Sequence, residues 1–139
     1  MMSVTIEEMQ RLVRAGVPLA AAWGVEVLAA ADGTATLRLP QHEDLLRPGG
    51  TVSGPAMMGL ADMAMWAALL SLTAGRDESL TANLTITFLR PPAPGALIAE
   101  ARVIRKGRTL SYGEVALRPE SSDVPCAHVT SSWAAHRRG

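Results

Sequence analysis

One acidic residue stands alone in a long apolar stretch, and it is the first place where the sequence suggests chemistry. Asp62 is the only charged residue between Arg47 and Arg76, and Ala, Leu and Met surround it. Burial of a lone carboxylate is costly unless hydrogen bonds or an altered pKa compensate for the lost water. Asp62 is therefore a candidate functional group. The alternative is an Asp that bonds a nearby backbone group or faces a water-filled interface between subunits.

A glycine at a predicted helix start is the second candidate group. Ser53, Gly54 and Pro55 precede the apolar stretch, and Pro55 suits a first helical position because its missing N–H would have no partner there. Free N–H groups and the helix dipole favour negative charge at this end, so the Gly54 amide could polarise the carbonyl of a substrate. Asp62 follows Gly54 by eight residues, which leaves the two about 80° apart around the helix. An ordinary glycine before a helix is the alternative.

Periodicity and turn signals predict the elements that must position these groups. Thr5 and Glu8 form a capping box before a short helix, and Asp32-Gly33 indicates a hairpin. The other predicted elements are strands at about 25–30 and 34–39, a helix from 55 to about 73, and strands at 81–88, 96–105, 108–118 and 126–135. This order predicts a single α+β domain over 1–139, with 1–20 as N-terminal helix and lead-in. An antiparallel sheet would wrap around the long helix, and a second subunit would cover the helix's other side.

The composition fits one globular domain. Of 139 residues, 48% are hydrophobic and 19% charged, so we expect some surface to be buried against another subunit. Thirteen basic and thirteen acidic residues cancel, which argues against nucleic-acid and membrane-surface binding. A single cysteine, Cys126, and the lack of an apolar signal segment near the N-terminus favour a cytoplasmic protein. The apolar run 51–75 is long enough to cross a membrane, but Asp62 near its middle disfavours spanning.

The apolar stretch and the strand after it resemble a known family. Residues 47–71, RPGGTVSGPAMMGLADMAMWAALLS, look like the signature of hotdog-fold acyl-CoA thioesterases, with the phenylacetate-pathway branch as the best match. That family typically has His-Gly-Gly and then a helix with Leu-Ala-Asp, which 60–62 matches. Residues 83–91, NLTITFLRP, resemble the strand that follows, and the likeness covers about 20–135. The resemblance implies a hotdog fold, in which an antiparallel sheet wraps around one long central helix.

The resemblance also implies roles and partners. Asp62 would act as general base on water or as nucleophile on the thioester carbon, and the Gly54 amide would hold the carbonyl oxygen. The substrate would be an acyl- or aroyl-CoA thioester, with no metal and no cofactor apart from the CoA of the substrate itself. The family further implies a homodimer at least, with a homotetramer favoured, and a site shared between subunits.

Three positions depart from the family pattern. Ser53 stands where the family usually has His, and Pro55 stands where it has the second Gly. Pro55 has no N–H, so a second backbone donor must come from Ala56 or elsewhere. Arg47 falls near the position where relatives carry Asn or Gln, and its charge could pair with Asp62 or bind an anion of the substrate.

A basic segment is the candidate contact for the phosphates of CoA. Arg105, Lys106 and Arg108 lie at a predicted strand turn, and Arg90 ends the preceding strand. Clustered Lys and Arg suit a phosphate and a pyrophosphate, although such a turn is more often simply solvated. Asn83, on the polar face of its strand, is a candidate residue of the acyl pocket or merely a partner of a neighbouring strand.

Other chemistries find less support in the sequence. The three histidines, His42, His128 and His136, show no metal-ligand spacing with Cys126, and the Gly-x-Ser-x-Gly, Walker A and Gly-x-Gly-x-x-Gly motifs are absent. The leading hypothesis is a thioester hydrolase. The second is a non-catalytic hotdog module that binds acyl-CoA or another apolar ligand, and the third is a membrane-associated structural protein built on the 51–75 helix.

Overall fold

A computed structural model, which describes residues 4–135, shows six antiparallel strands around one long helix. The elements are the helices α1 (Ile6–Gly16), α2 (Pro18–Ala22) and α3 (Gly54–Leu72) and the strands β1 (Glu26–Ala31), β2 (Thr34–Leu39), β3 (Leu80–Phe88), β4 (Leu97–Arg105), β5 (Leu110–Pro119) and β6 (Ala127–Ala134). The order of strands across the sheet is β1-β2-β4-β5-β6-β3. The predicted architecture, one antiparallel sheet wrapped around one central helix, is confirmed.

The central helix α3 begins and ends at residues that the sequence marks. The Ser53 hydroxyl accepts a hydrogen bond from the Ala56 N–H at 3.4 Å and caps the first turn. At the other end Gly75 adopts a φ of +82°, and its N–H donates to the Leu70 carbonyl at 2.9 Å, which closes the last turn. Eleven residues of α3 are buried. By length and composition α3 is able to cross a membrane, but here it is the core helix beneath the sheet.

The N-terminal elements follow the sequence with one addition. Thr5 caps α1 by accepting from the Glu8 N–H at 3.1 Å, as the capping box predicts. Asp32 and Gly33 both have positive φ, +52° and +82°, which is the turn geometry that an Asp-Gly hairpin requires. The addition is α2, a one-turn helix that starts at Pro18 directly after α1. Proline is preorganised for a first helical position, so it begins a new helix where it ends the old one.

The two edges of the sheet differ in how they are protected. Helix α1 covers the β1 edge: Gln10 accepts from the Val27 N–H at 3.0 Å, and Arg14 donates to the Val25 carbonyl at 2.9 Å. At the other edge β3 pairs only with β6. No element within residues 4–135 covers the outer side of β3, and its large side chains Leu80 and Phe88 are 59% and 51% exposed. An uncovered apolar edge of this kind is suited to pairing with another chain.

Candidate active site

Asp62 is half-buried at the wall of a cavity of about 270 Å³ and is held by one hydroxyl group. The Thr81 hydroxyl donates to Asp62 Oδ1 at 2.6 Å, and within the described residues Oδ2 has no partner. Burial raises the pKa of Asp62 above its ordinary value of 3.8, and the Thr81 hydrogen bond opposes part of that rise. The cavity is lined by Gly16, Val17, Asp62, Trp66, Asp77, Glu78, Ser79, Leu80, Thr81 and Trp133.

Thr81 reaches Asp62 because of an irregularity in β3. A bulge between Thr81 and Asn83 shifts the pairing with β6, so that Thr81 lies opposite Trp133 and Asn83 opposite Ser132. Trp133 is buried and borders the same cavity as Asp62, so Thr81 is on the helix side of the sheet. Strict alternation would have placed Thr81 on the same face as Asn83. Thr81 is not among the site residues that the sequence predicts. The feature of the sequence that could have indicated it is a hydroxyl at the first position of a predicted strand.

The start of α3 leaves one backbone donor available. Ser53 Oγ occupies the Ala56 N–H, and the Met57 N–H donates to the Ser53 carbonyl at 3.1 Å. Pro55 has no N–H, and the Ala56 N–H, one of the possible second donors, is already used. The Gly54 N–H makes no hydrogen bond within residues 4–135. A Cβ at Gly54 would lie 3.2 Å from the Phe88 ring, so the glycine keeps the approach to its amide open.

Gly54 borders a second cavity, of about 390 Å³, which it shares with two arginines. The lining is Arg47, Thr51, Val52, Gly54, Met57, Phe88, Leu89, Arg90, Pro91 and Pro92. The turn before α3 holds Arg47 in place: its N–H donates to the Thr51 carbonyl at 2.8 Å, and its carbonyl accepts from the Gly50 N–H at 3.0 Å. Arg47 makes no ion pair with Asp62 in this chain, and the pKa of that carboxyl is raised rather than lowered.

Asp62 and Gly54 line different cavities of one chain. Eight residues of helix separate them by about 12 Å along the axis, with about 80° of rotation. One thioester group, a few ångströms long, cannot meet both groups of a single subunit. The structure therefore does not bring the two predicted catalytic groups together within one chain.

The predicted phosphate-binding residues divide between different places. Lys106 and Arg108 line a third cavity, of about 250 Å³, and Arg76 joins them there. This cavity also contains Asp77, Glu78, Ser79 and Trp133, which line the Asp62 cavity too. Arg105 lines neither of these cavities, whereas Arg90 lies in the Gly54 cavity. Arg76 is a cationic partner that the sequence analysis did not name.

Asn83 and the side chains considered for other chemistries lie away from Asp62. Asn83 is exposed and pairs with Ser132, and its Oδ1 accepts from the Thr85 hydroxyl at 3.3 Å. Cys126 is buried, and burial raises the pKa of its thiol. His128 contacts Glu114 at 3.3 Å. Within residues 4–135 no group of three or more His, Cys, Asp or Glu side chains is placed to hold a metal ion.

The fold defines a class of protein. An antiparallel sheet wrapped around one long central helix is the arrangement of the hotdog fold. The family model described as "Thioesterase superfamily" matches residues 49–126. The chain belongs to the thioesterase superfamily, and its hotdog fold is confirmed.

Solved structures and a curated relative agree with this membership. A candidate thioesterase of Silicibacter sp. TM1040 superposes with a TM-score of 0.87 at 34% identity, over 99% of this chain and 96% of that one. The PaaI protein of the Escherichia coli phenylacetic acid degradation operon shares the fold, with a TM-score of 0.79 at 19% identity over 96% and 97% of the two chains. A candidate esterase of Saccharolobus solfataricus is 30% identical over 82% of this chain and 75% of its own length. The protein is a hydrolase of the esterase and thioesterase kind.

Proposed function

We propose that the protein hydrolyses acyl-CoA or aroyl-CoA thioesters to the free acid and CoA. The observation that carries the proposal is Asp62, a half-buried carboxylate with a raised pKa that Thr81 holds at a cavity wall. A carboxylate whose pKa is raised is a stronger base once it is ionised, which suits removal of a proton from water. Membership of the superfamily gives the class of reaction. CoA as the thiol carrier is what the proposal adds.

Asp62 and the Gly54 N–H support two routes for hydrolysis of the thioester. In the first, Asp62 takes a proton from water while the water oxygen bonds to the thioester carbon, and the resulting oxyanion accepts from the Gly54 N–H. The C–S bond then breaks as the carbonyl re-forms, and the thiolate takes the proton from Asp62. In the second, Asp62 Oδ2 attacks the thioester carbon and expels the thiolate, and water then hydrolyses the mixed anhydride.

A single turnover in heavy-oxygen water, with enzyme in excess, distinguishes the general-base route from an anhydride that water attacks at the Asp62 carbon. The general-base route puts one heavy oxygen into the acid product of the first turnover. An anhydride that water attacks at the Asp62 carbon leaves the first product unlabelled and the Asp62 side chain labelled. Mass spectrometry of both the acid and the peptide that contains Asp62 gives the answer.

The third cavity, which Arg76, Lys106 and Arg108 line, supports a path for CoA. Arg76, Lys106 and Arg108 surround a space that adjoins the Asp62 cavity through Asp77–Ser79. Lys and Arg side chains bind phosphate through charge-assisted hydrogen bonds. We place the nucleotide end of CoA at these cations, with the pantetheine arm leading to Asp62.

The separation of Asp62 from Gly54 supports a site made by two subunits. A homodimer whose two α3 helices run antiparallel would bring Asp62 of one chain towards the Gly54 amide of the other. The uncovered β3 edge, with exposed Leu80 and Phe88, offers a surface on which a second copy could pair strand to strand. Pairing of two such dimers into a tetramer remains the further expectation.

A substrate panel tests the reaction. Purified protein is given short-chain, long-chain and aromatic acyl-CoA thioesters, and a thiol-trapping dye reports released CoA. Turnover of at least one thioester, abolished in Asp62→Ala with an unchanged circular dichroism spectrum, supports the proposal. Measurable binding without any turnover would instead support the non-catalytic hotdog module.

Mixing two defective variants tests the shared site. Asp62→Asn removes the carboxylate and Gly54→Val blocks the amide, so neither variant alone has a complete site. If each site takes one group from each chain, mixed dimers regain one intact site, and random exchange restores about a quarter of the wild-type sites. A mixture of Asp62→Asn and Asp62→Ala is the control and should stay inactive. Absence of recovery after verified subunit exchange contradicts the shared site.

A further inference from the structure

We infer that the cavity bounded by Arg47 and Arg90 receives an anionic group of the substrate. The enzyme is then selective for thioesters that carry a negative charge on the part of the molecule that reaches this cavity. The inference rests on the proposed function, because it concerns what the same substrate presents beyond its thioester. It concerns the Gly54 cavity, the largest of those that border the two candidate catalytic groups, at about 390 Å³ against about 270 Å³ for the Asp62 cavity.

The charges around this cavity are all of one sign. Among the residues that the structure describes, Arg47 and Arg90 are its only ionisable side chains, and no Asp or Glu lines it. Within residues 4–135 neither guanidinium forms a salt bridge, whereas Arg38, Arg102 and Arg118 all pair with carboxylates. Two cations without counter-ions at one concave surface attract an anion, and the N-terminus of α3 adds to the same potential.

Both arginines are exposed, and each is anchored at one point. Arg90 donates to the Pro125 carbonyl, which anchors its position but leaves other N–H groups of the guanidinium available. The hydrogen bonds of the turn that ends at Thr51 fix the backbone of Arg47. A guanidinium fork binds a carboxylate or a phosphate oxygen pair in a bidentate manner. Apart from Thr51, the side chains of the rest of the wall are apolar and include Val52, Met57, Phe88 and Leu89, so the wall suits a carbon chain that ends in a charge.

Two parts of the substrate carry such a charge, a carboxylate on the acyl chain and a phosphate of CoA. A separate group of cations, Arg76, Lys106 and Arg108, already lies beside the Asp62 cavity. With the nucleotide at those cations and the thioester at Asp62, the acyl chain extends towards the Gly54 amide and the Arg47–Arg90 cavity of the second subunit in the proposed dimer. This direction favours the carboxylate, so the expected substrates are thioesters of dicarboxylic acids.

Four thioesters and three variants test the inference. Pentanoyl and glutaryl groups differ in a terminal carboxylate at equal carbon number, and each is supplied on CoA and on N-acetylcysteamine, which has no phosphate. We expect wild-type kcat/KM to favour glutaryl on both carriers, and Arg47→Gln or Arg90→Gln to lower that preference about tenfold or more, as loss of a charged hydrogen bond predicts. Arg11→Gln, which removes an exposed arginine of α1, is the matched control and should keep it.

The outcomes separate the two sources of charge. If Arg47→Gln instead lowers the preference for CoA over N-acetylcysteamine, equally for both acyl groups, the anion is a phosphate and the inference stands with that source. If the relative kcat/KM values of the four thioesters are the same in wild type, Arg47→Gln, Arg90→Gln and Arg11→Gln, the inference is overturned.

A binding measurement tests the anion site independently of the proposed hydrolysis. Titration calorimetry of the Asp62→Asn variant with glutarate and with inorganic pyrophosphate needs no turnover. Binding that Arg47→Gln weakens about tenfold and Arg11→Gln does not supports the anion site, even if no thioester is hydrolysed. Turnover of thioesters together with equal anion binding in all variants overturns the anion site and leaves the hydrolase intact.

Discussion

The two regions of α3 that carry the candidate groups, Asp62 in mid-helix and Gly54 at the helix start, have opposite electrostatics. In mid-helix Asp62 is a half-buried carboxylate at a cavity that Asp77 and Glu78 also line, and within residues 4–135 the Thr81 hydroxyl is its only hydrogen-bond partner. At the helix start the Gly54 amide shares a cavity with Arg47 and Arg90, and in the described part of the chain the amide has no hydrogen-bond partner and the arginines have no counter-ion. The first region makes a base, and the second attracts negative charge. Because about 12 Å of helix separates them, one thioester group cannot contact both regions of a single chain.

The largest effect should come from the mid-helix region. Asp62→Asn keeps the size of the side chain and an oxygen that can accept from Thr81, but it removes the base. We expect kcat to fall about a thousandfold, within the range for loss of a general base. The measurement is steady-state thioester hydrolysis. A fall of less than tenfold would show that Asp62 is not the reacting group, and the comparison of the two regions would lose its meaning.

The helix start should respond next, and in proportion to side-chain size. Gly54→Ala places a Cβ 3.2 Å from Phe88, and Gly54→Val adds two methyl groups where the thioester oxygen should approach. We expect kcat to fall about tenfold for Ala and about a hundredfold for Val, as for a weakened oxyanion donor. In the double variant Gly54→Ala with Phe88→Leu the crowding against the ring is relieved. Full recovery there would mean that the ring, and not access to the amide, limits activity.

Removal of the Thr81 hydrogen bond should change the pH dependence of hydrolysis. The rate at neutral pH should change less than in the variants of Asp62 and Gly54. Asp62 works as a carboxylate, and burial raises its pKa above 3.8, so activity should rise with pH through that raised pKa. The Thr81 hydrogen bond lowers the pKa, so Thr81→Val should move the acid limb of kcat to higher pH. Thr81→Ser, which keeps the hydroxyl, should leave the limb in place. A shift of equal size in both variants would point to packing rather than to the hydrogen bond.

The smallest expected effect is on stability. The folded-state pKa of Asp62 lies above its unfolded value, so its protonated form favours the folded state, and this contribution is lost as pH rises through the folded pKa. Asp62→Asn should therefore gain stability over wild type as pH rises from below 3.8, while it loses activity. Urea unfolding at a fixed protein concentration measures this difference, and the exposed Asp123→Asn serves as control. A difference that shrinks with rising pH would contradict the sign.

Local sequence patterns predicted most of the fold. The strands and α3 lie within one or two residues of their predicted bounds because alternation, capping residues and turn pairs such as Asp32-Gly33 act over a few positions. The same patterns singled out Asp62, since a lone carboxylate in an apolar helix is visible without any structure. They also indicated the helix start at Gly54, through Ser53 and Pro55.

Tertiary structure decided which side chains share a cavity. The bulge in β3 turned Thr81 towards Asp62, and that bulge depends on the register with β6, about fifty residues further along the chain, which no local pattern fixes. The fold likewise placed Arg47 beside Arg90 instead of Asp62, and Arg76 beside Lys106 and Arg108. The sequence by itself determined the helix and the charge that it carries. Only packing decided the partners of that charge, because contacts between distant segments depend on strand pairing and not on neighbouring residues.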